Sequence, residues 1–471
     1  METAFPRLVV AGSGGSTGKT LVALGLTRLF AQKGLAVRAF KKGPDYIDAA
    51  WLGRAAGNPA RNLDPYFLSA PDLLAFFQKF AIGADISVIE GNRGLYDGRD
   101  LAGACSTAEV ARILAAPVLL VLNASRMTRT AAALLHGLAE FEPGLDIAGV
   151  IVNRMGAERH CRAVTAAIEH YTDIPVLGAI PRLTPSPLAE RAMGLAAGHG
   201  AEWERAETTL DLLGRVLSEH TDAERLLEAA GNAQSLPYAP QPEISAPVAR
   251  DRRPRIGYVH DEALWFYYPE NLEALAHAGA ELVRLSLLDL RLWPELDGLY
   301  LGGGFPELFA ERLTDSPHFA RIRVLADSGA PIYAECGGAM LLAEAIDIEG
   351  RRYPMSGVFP AVCQCHPVPQ GLGYVEARAI ADNPFHPRGT SFRGHEFHYS
   401  RCRMLRPHEH ALVLSAGSGK AEGMGGGVDG LCCKNTFAAY THLFAPAVPH
   451  WARNFVSAAE KNAAGGPHYL P

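Results

Sequence analysis

The sequence predicts an α/β protein of two domains, and three observations carry that prediction. Continuous apolar stretches, the mark of parallel strands buried on both faces, alternate with helix-periodic stretches through the first half. Near residues 235–254 the text changes to "SLPYAPQPEISAPVARDRRP", whose five prolines and lack of periodicity indicate a surface linker. The alternation then restarts. A chain of 471 residues also exceeds a single core, because cores stop growing at roughly 250–300 residues. The expected division is a first domain over 1–235, a linker over 236–253 and a second domain over 254–460.

The first strand is "RLVVAG" (7–12), followed by a glycine-rich loop and a helix from about Lys19 to Lys33. Further strands are read at "AVRAFK" (36–41), "ISVIEG" (86–91), "APVLLVLN" (116–123), "IAGVIVNR" (147–154) and "IPVLGAI" (174–180). Past the linker the pattern gives "RIGYVH", a helix near 268–278, "ELVRLSL", "DGLYLGGG", a helix near 306–313 and "PIYAEC", again an α/β arrangement. In "PIYAECGGAMLLAEAI" (331–346) a helix-spaced apolar run begins directly after the glycines.

Composition excludes several function classes. With 48% hydrophobic residues, 20% charged residues and a formal net charge of −6, no basic field invites nucleic acid. No apolar run approaches the roughly 18–20 residues that span a bilayer, and the N-terminus enters a strand without a signal-peptide pattern. The expectation is a cytoplasmic protein with neither a membrane nor a nucleic-acid partner. Eight cysteines are too sparse for a disulfide framework. Cys363-Gln-Cys365-His366 lacks the usual C-x-x-C metal spacing, so these are read as loop cysteines.

The loop in "AGSGGSTGKT" (11–20) joins a buried strand to an amphipathic helix, the context of phosphate binding. Backbone N–H groups around Gly12, Gly14, Gly15 and Gly18 would cradle phosphate oxygens. Lys19 would reach the outer phosphates of ATP, and Thr20 would ligate Mg2+. The residue five before Gly18 is Ser13, so the usual G-x-x-x-x-G-K-[ST] spacing is stretched by one. "SVIEGNRGLYDG" brings Glu90 and Asp97 to the same carboxyl edge of the sheet, where ligands of open α/β folds bind. Glu90 is read as a Mg2+ partner, against the plainer readings of a helix cap or a pair with Arg93. The loop after "AVRAF" adds Asp45, Tyr46 and Asp48. These three and Asp97 are read as substrate-binding, with Asp45 also joining Thr20 and Glu90 as a metal ligand.

A strand, a sharp turn of small residues and a helix describe a nucleophile elbow around Cys336, where a helix N-terminus would favour thiolate. Gly303 and Gly304, after the strand "GLYL", could offer backbone N–H groups to an oxyanion. His442 is the candidate base because it follows an apolar strand late in the domain. His395 and His398 in "RGHEFHYS" are the alternatives. A cysteine acyl-transfer site beside an ATP site suggests that a nitrogen donor is hydrolysed in one domain and its nitrogen used in the other.

With these residues in view, the chain resembles the cobyrinic acid a,c-diamide synthase family over nearly its whole length. The resemblance is carried in order by "AGSGGSTGKT", "FKKGPDYID", "NPARNLD", "EGNRGLYDG", "AERAMGL", "YLGGGFPE", "AECGGAM", "RGHEFHYS" and "AYTHLF". It implies a P-loop NTPase-like, dethiobiotin synthetase-like parallel-sheet domain followed by a class I-type glutamine amidotransferase α/β domain. It further implies Cys336 as glutaminase nucleophile, His442 as the group that raises its nucleophilicity, and no separate triad carboxylate. The substrates implied are L-glutamine, ATP and a tetrapyrrole acid amidated at its a and c acetates. Cobyrinate is the first choice, with sirohaem and Ni-sirohydrochlorin as alternatives. Lys42 and Asn92-Arg93 depart from the family's usual small or apolar residues and bear on that choice. A rival of another class is a P-loop ATPase switch carrying an inactive amidotransferase-like module. A homodimer is left open.

Overall fold

A computed structural model describes residues 2–188, 201–240, 252–417 and 419–464. The motif "AERAMGL" (189–195) and the linker residues 241–251 lie outside them. The chain divides into two compact units, Met1–Ile244 and Ser245–Pro471.

In the first unit the described residues form a seven-stranded, wholly parallel sheet. Its order runs Arg61–Leu63, Val37–Lys42, Ile86–Gly94, Arg7–Gly12, Val118–Asn123, Ile147–Met155, Val176–Pro181. The strand Ile86–Gly94 is thus inserted between the strand that enters the glycine loop and the strand Val37–Lys42. In register, Glu90 lies beside Val10 on one side and Lys41 on the other.

The helix Lys19–Gln32 covers this sheet and buries Val22, Leu24, Leu26, Leu29 and Phe30. Such side chains contribute about 1.5–3 kcal/mol each when fully buried. It packs on the helix Ala201–His220, with Gly25 facing Leu217 so closely that a Cβ there would lie 2.5 Å from the leucine Cδ2. Packing anchors this helix rather than capping. Its N-cap is Gly18, with no side-chain cap bond, which leaves first-turn N–H groups for an anion. Leu236–Pro237 pair antiparallel with Glu2–Thr3 and Ala239 N donates to Gln78 Oε1 (3.0 Å), so the start of the proline-rich segment is tied to this unit.

The second unit holds a ten-stranded mixed sheet among the described residues. Five strands are parallel: Glu281–Leu285, Arg255–Val259, Gly298–Leu301, Ile332–Glu335 and Thr436–Ala439. An antiparallel half continues it with Val428–Cys433, His410–Ala416, Gly371–Ala379, Ser391–His398 and His442–Leu443. The helix Pro449–Ala464 buries Trp451, Phe455 and Val456 against the sheet with Tyr300, Tyr333 and Phe437.

Two local expectations are corrected here. The helix after Cys336 runs only from Gly337 to Leu341, and Ala343–Ile348 is a strand of a second, four-stranded sheet. Pairing with Phe359–Cys365 and Arg351–Pro354 overrides the helical spacing of that run. Cys363 and Cys365 are strand residues rather than loop residues, with Cys363 opposite Cys402. Among the described residues no cluster of three metal-ligating His, Cys, Asp or Glu side chains occurs, and no helix is long and apolar enough to cross a membrane.

Candidate active sites

In the first unit the strand order brings the predicted residues together. Glu90 is fully buried, and its Oε1 accepts from Thr20 Oγ1 (2.6 Å) and Lys19 Nζ (3.3 Å). Lys41 Nζ lies 3.2 Å from the same oxygen and 2.6 Å from Asp48 Oδ2. Glu90 therefore pairs with lysines and not with Arg93. Lys41 was not among the expected site residues. It meets Glu90 because their strands are neighbours in register, and the only sequence signal is the "KK" closing its strand. Burial alone would lower the Lys41 pKa, but Asp48, Glu90 and Asp45 outweigh it and hold the ammonium charged.

Asp45 caps the helix Tyr46–Ala56 by accepting from Asp48 N (2.8 Å). Its carboxyl is pushed up to about 6 by burial and then by the neighbouring charge of Asp48. Asp48 moves the other way. Burial would raise it, but the Lys41 ion pair lowers it below the usual range. Tyr46 is buried at the start of the helix. Asp97 accepts from Gly94 N (2.8 Å) and so caps the end of the Glu90 strand.

The loop glycines sort into two kinds. Gly14 and Gly15 face open space, whereas Gly18 has φ +93° and a Cβ there would meet Asn153 Nδ2 at 2.0 Å. Asn153, also missed from sequence, donates to Thr17 O (2.8 Å) and holds the loop from the strand Ile147–Met155, two places away in the sheet. Lys42 is 5% exposed. Burial lowers its pKa against the pull of Asp64, so this side chain sits largely inside. Arg93 is exposed with φ +53°.

In the second unit Cys336 has φ 49° and ψ −107°, a strained conformation for a non-glycine residue that costs on the order of 1–3 kcal/mol. Three bonds around the turn sustain it: Cys336 N to Ala439 O (2.7 Å), Gly338 N to Gly302 O (3.0 Å) and Met340 N to Cys336 O (3.1 Å). Each contributes about 0.5–1.5 kcal/mol. A Cβ on Gly337 would lie 2.8 and 2.9 Å from Gly304 O and N. The nucleophile turn and the triple-glycine strand are therefore in direct backbone contact.

On the other side of that strand, a Cβ on Gly303 would lie 2.4 Å from His442 Cε1. Gly303 and Gly304 are buried and pair with Leu264–Phe266 in a short two-stranded ladder. The three predicted groups thus converge. Of the alternative bases, His395 stacks on His442 (centroids 4.9 Å apart) and is held neutral, well below its ordinary pKa, by burial and then by His442. His398 has both ring nitrogens engaged, with Ser400 O (2.8 Å) and Glu396 Oε1 (3.2 Å).

Burial works against the expected thiolate. Cys336 is 3% exposed, and burial, then Glu307 and other carboxylates, push its thiol well above the ordinary range while the Gly337 N–H opposes them. A five-residue helix end does not overcome that desolvation. Burial therefore favours the thiol form of Cys336, whose Sγ lies 3.6 Å from Phe397 O.

Comparison with known proteins agrees with both halves. Residues 8–192 match the model of the CobQ/CobB/MinD/ParA nucleotide binding domain, and residues 255–448 match the CobB/CobQ-like glutamine amidotransferase domain. A nucleotide-binding P-loop unit joined to a glutaminase unit defines a carbon–nitrogen ligase that takes its nitrogen from glutamine. The chain is 41% identical over 457 residues to the cobyrinate a,c-diamide synthase of Magnetococcus marinus, covering 96% of this chain and 97% of that one. It is 42% identical to that of Syntrophotalea carbinolica (84% and 86% covered) and 38% identical to that of Methanosarcina acetivorans (97% and 96% covered). The chain belongs to the cobyrinate a,c-diamide synthase family.

Proposed function

We propose that this chain converts cobyrinate to its a,c-diamide, amidating the two acetate carboxylates in turn with ammonia released from glutamine and with ATP as activator. The observation that most supports this is agreement with the relatives named above across both units, with Lys19, Glu90, Cys336 and His442 all in place.

In the glutaminase unit His442 takes the Cys336 proton as Sγ attacks the amide carbon of glutamine. Backbone N–H groups of Gly303, Gly304 and Gly337 hold the oxyanion as it forms. The carbon–nitrogen bond breaks, ammonia leaves with the proton returned by His442, and water hydrolyses the thioester to glutamate. In the nucleotide unit a substrate acetate oxygen attacks the γ-phosphorus of ATP, the bond to the β–γ bridging oxygen breaks and ADP leaves, while Lys19 and Lys41 offset charge on the transferring group. Ammonia then displaces phosphate from the acyl phosphate.

Glu90, Thr20 and Asp45 would hold Mg2+, which supplies charge neutralisation at the phosphates when bound. The residues fit that group, since Glu90 Oε2 is buried with no hydrogen-bond partner among the described residues. Asp45, Tyr46, Asp48 and Asp97 border the same sheet edge and are assigned to substrate, Asp48 through the charge balance it sets with Lys41.

Glutamine-dependent ATP hydrolysis separates this reading from an ATPase switch with an inactive amidotransferase module. Hydrolysis should rise about tenfold or more when cobyrinate is added, because phosphate transfer needs the acceptor carboxylate. Indifference to cobyrinate would favour the switch.

A further inference from the structure

The glutaminase chemistry needs His442 oriented with its acceptor nitrogen available, and in hydrolases built on a Ser-His-Asp pattern a separate carboxylate does this. The residue directly before the nucleophile meets the requirement here. Glu335 closes the strand Ile332–Glu335 and is fully buried, and its Oε2 lies 3.7 Å from His442 Nδ1. The carboxylate is itself fixed. Oε2 accepts from Tyr300 Oη (3.0 Å) and Oε1 from Leu443 N (3.1 Å). Asn271 Nδ2 donates to Tyr300 Oη (3.1 Å) and to Leu443 O (3.0 Å), closing the network around the histidine's own strand.

We propose that Glu335 is the positioning residue for His442, supplying from the nucleophile's own strand the negative charge that a separate triad carboxylate supplies elsewhere. The inference rests on the reading of His442 as the base that takes the Cys336 proton. A carboxylate facing Nδ1 favours the Nδ1–H tautomer, which leaves Nε2 to accept the thiol proton, and it stabilises the imidazolium that results. The edge of the ring carrying Cε1 and Nε2 faces Gly303, where a Cβ would lie 2.4 and 3.3 Å from those atoms. The acceptor nitrogen is therefore turned toward the strand that abuts the Cys336 turn. The 3.7 Å gap is longer than a hydrogen bond, as is common before substrate binds.

The test compares Glu335→Gln, Tyr300→Phe, His442→Ala and the double variant Glu335→Gln/His442→Ala in glutaminase assays on the full chain with Mg-ATP. Gln keeps the size of Glu and an oxygen to accept from Leu443, so a purely structural role predicts near-normal turnover. The positioning role predicts that kcat falls about 10- to 1,000-fold with the glutamine KM within about twofold. Tyr300→Phe, which loosens the carboxylate without removing it, should lower kcat by a smaller factor. The double variant should be no slower than His442→Ala, since Glu335 acts only through His442. Wild-type kcat in Glu335→Gln with an inactive His442→Ala would overturn the proposal and leave the base assignment standing. Full multiplication of the two losses would also overturn it. An active His442→Ala would remove the base assignment and the proposal together.

Discussion

Cys336→Ala is expected to lower glutamine-dependent product formation by roughly 10,000-fold or more, the scale on which covalent nucleophiles fail when removed. Synthesis from added ammonium salt should continue, because carboxylate activation belongs to the other unit and needs only free ammonia. The geometry behind this is specific to one of the eight cysteines. Cys105 also has a positive φ (60°), but only the Cys336 turn (φ 49°) lies in backbone contact with Gly304, and Cys336 opens a helix whose first N–H opposes the rise in its pKa. Cys336→Ser should fail almost as completely, since a buried hydroxyl is harder to deprotonate than the thiol. Retained glutamine use in either variant would remove the nucleophile assignment. The assay is product formation with glutamine and ammonium compared side by side.

Lys19→Ala and Glu90→Gln should each block synthesis with both nitrogen sources, by about 100- to 10,000-fold. In the proposed reaction both residues act before nitrogen enters. Lys19 closes a glycine loop at an uncapped helix start, and Glu90 gathers Lys19, Thr20 and Lys41 around one carboxylate oxygen while its other, buried oxygen has no hydrogen-bond partner among the described residues. Trapping the acyl phosphate with hydroxylamine, in the absence of glutamine and ammonia, reads this step directly. A normal yield of hydroxamate in Lys19→Ala would show the loop to be structural. Glutamine hydrolysis need not disappear in either variant, which separates the two predictions.

What was legible in the sequence is what depends on contiguous residues. A strand, a glycine loop and Lys19-Thr20 at a helix start form one uninterrupted phosphate motif, and Glu90 directly follows the largely apolar run 86–89 of its strand. The turn at Cys336 is likewise local. Lys41 was not legible as a partner of Glu90, because that depends on the strand Ile86–Gly94 inserting beside Val37–Lys42, an order no local pattern carries. Glu335 was hidden for a similar reason, since His442 follows it by more than a hundred residues and meets it only through the sheet.

The antiparallel half of the second unit is hard to read because strands such as "GLGYVEARA" (371–379) mix glycine, charge and apolar residues on a sheet whose faces are unequally covered. The short helix after Cys336 misled for a tertiary reason, the pairing of Ala343–Ile348 with Phe359–Cys365. The state of the thiol could not be inferred from its helix position, because desolvation and the carboxylate of Glu307 outweigh the helix end.

Glutamine nitrogen should pass to the acetates of cobyrinate. Mass spectrometry after incubation with ATP, Mg2+ and glutamine labelled with 15N at the side-chain amide tests it most directly, with cobyrinate, sirohaem and Ni-sirohydrochlorin offered separately. Cobyrinate is expected to gain two amides, both labelled, through a singly amidated intermediate, and omission of ATP should abolish both. Labelled amides on sirohaem or Ni-sirohydrochlorin with none on cobyrinate would overturn the substrate assignment, and no labelled amide on any of the three would overturn glutamine-dependent amidation itself.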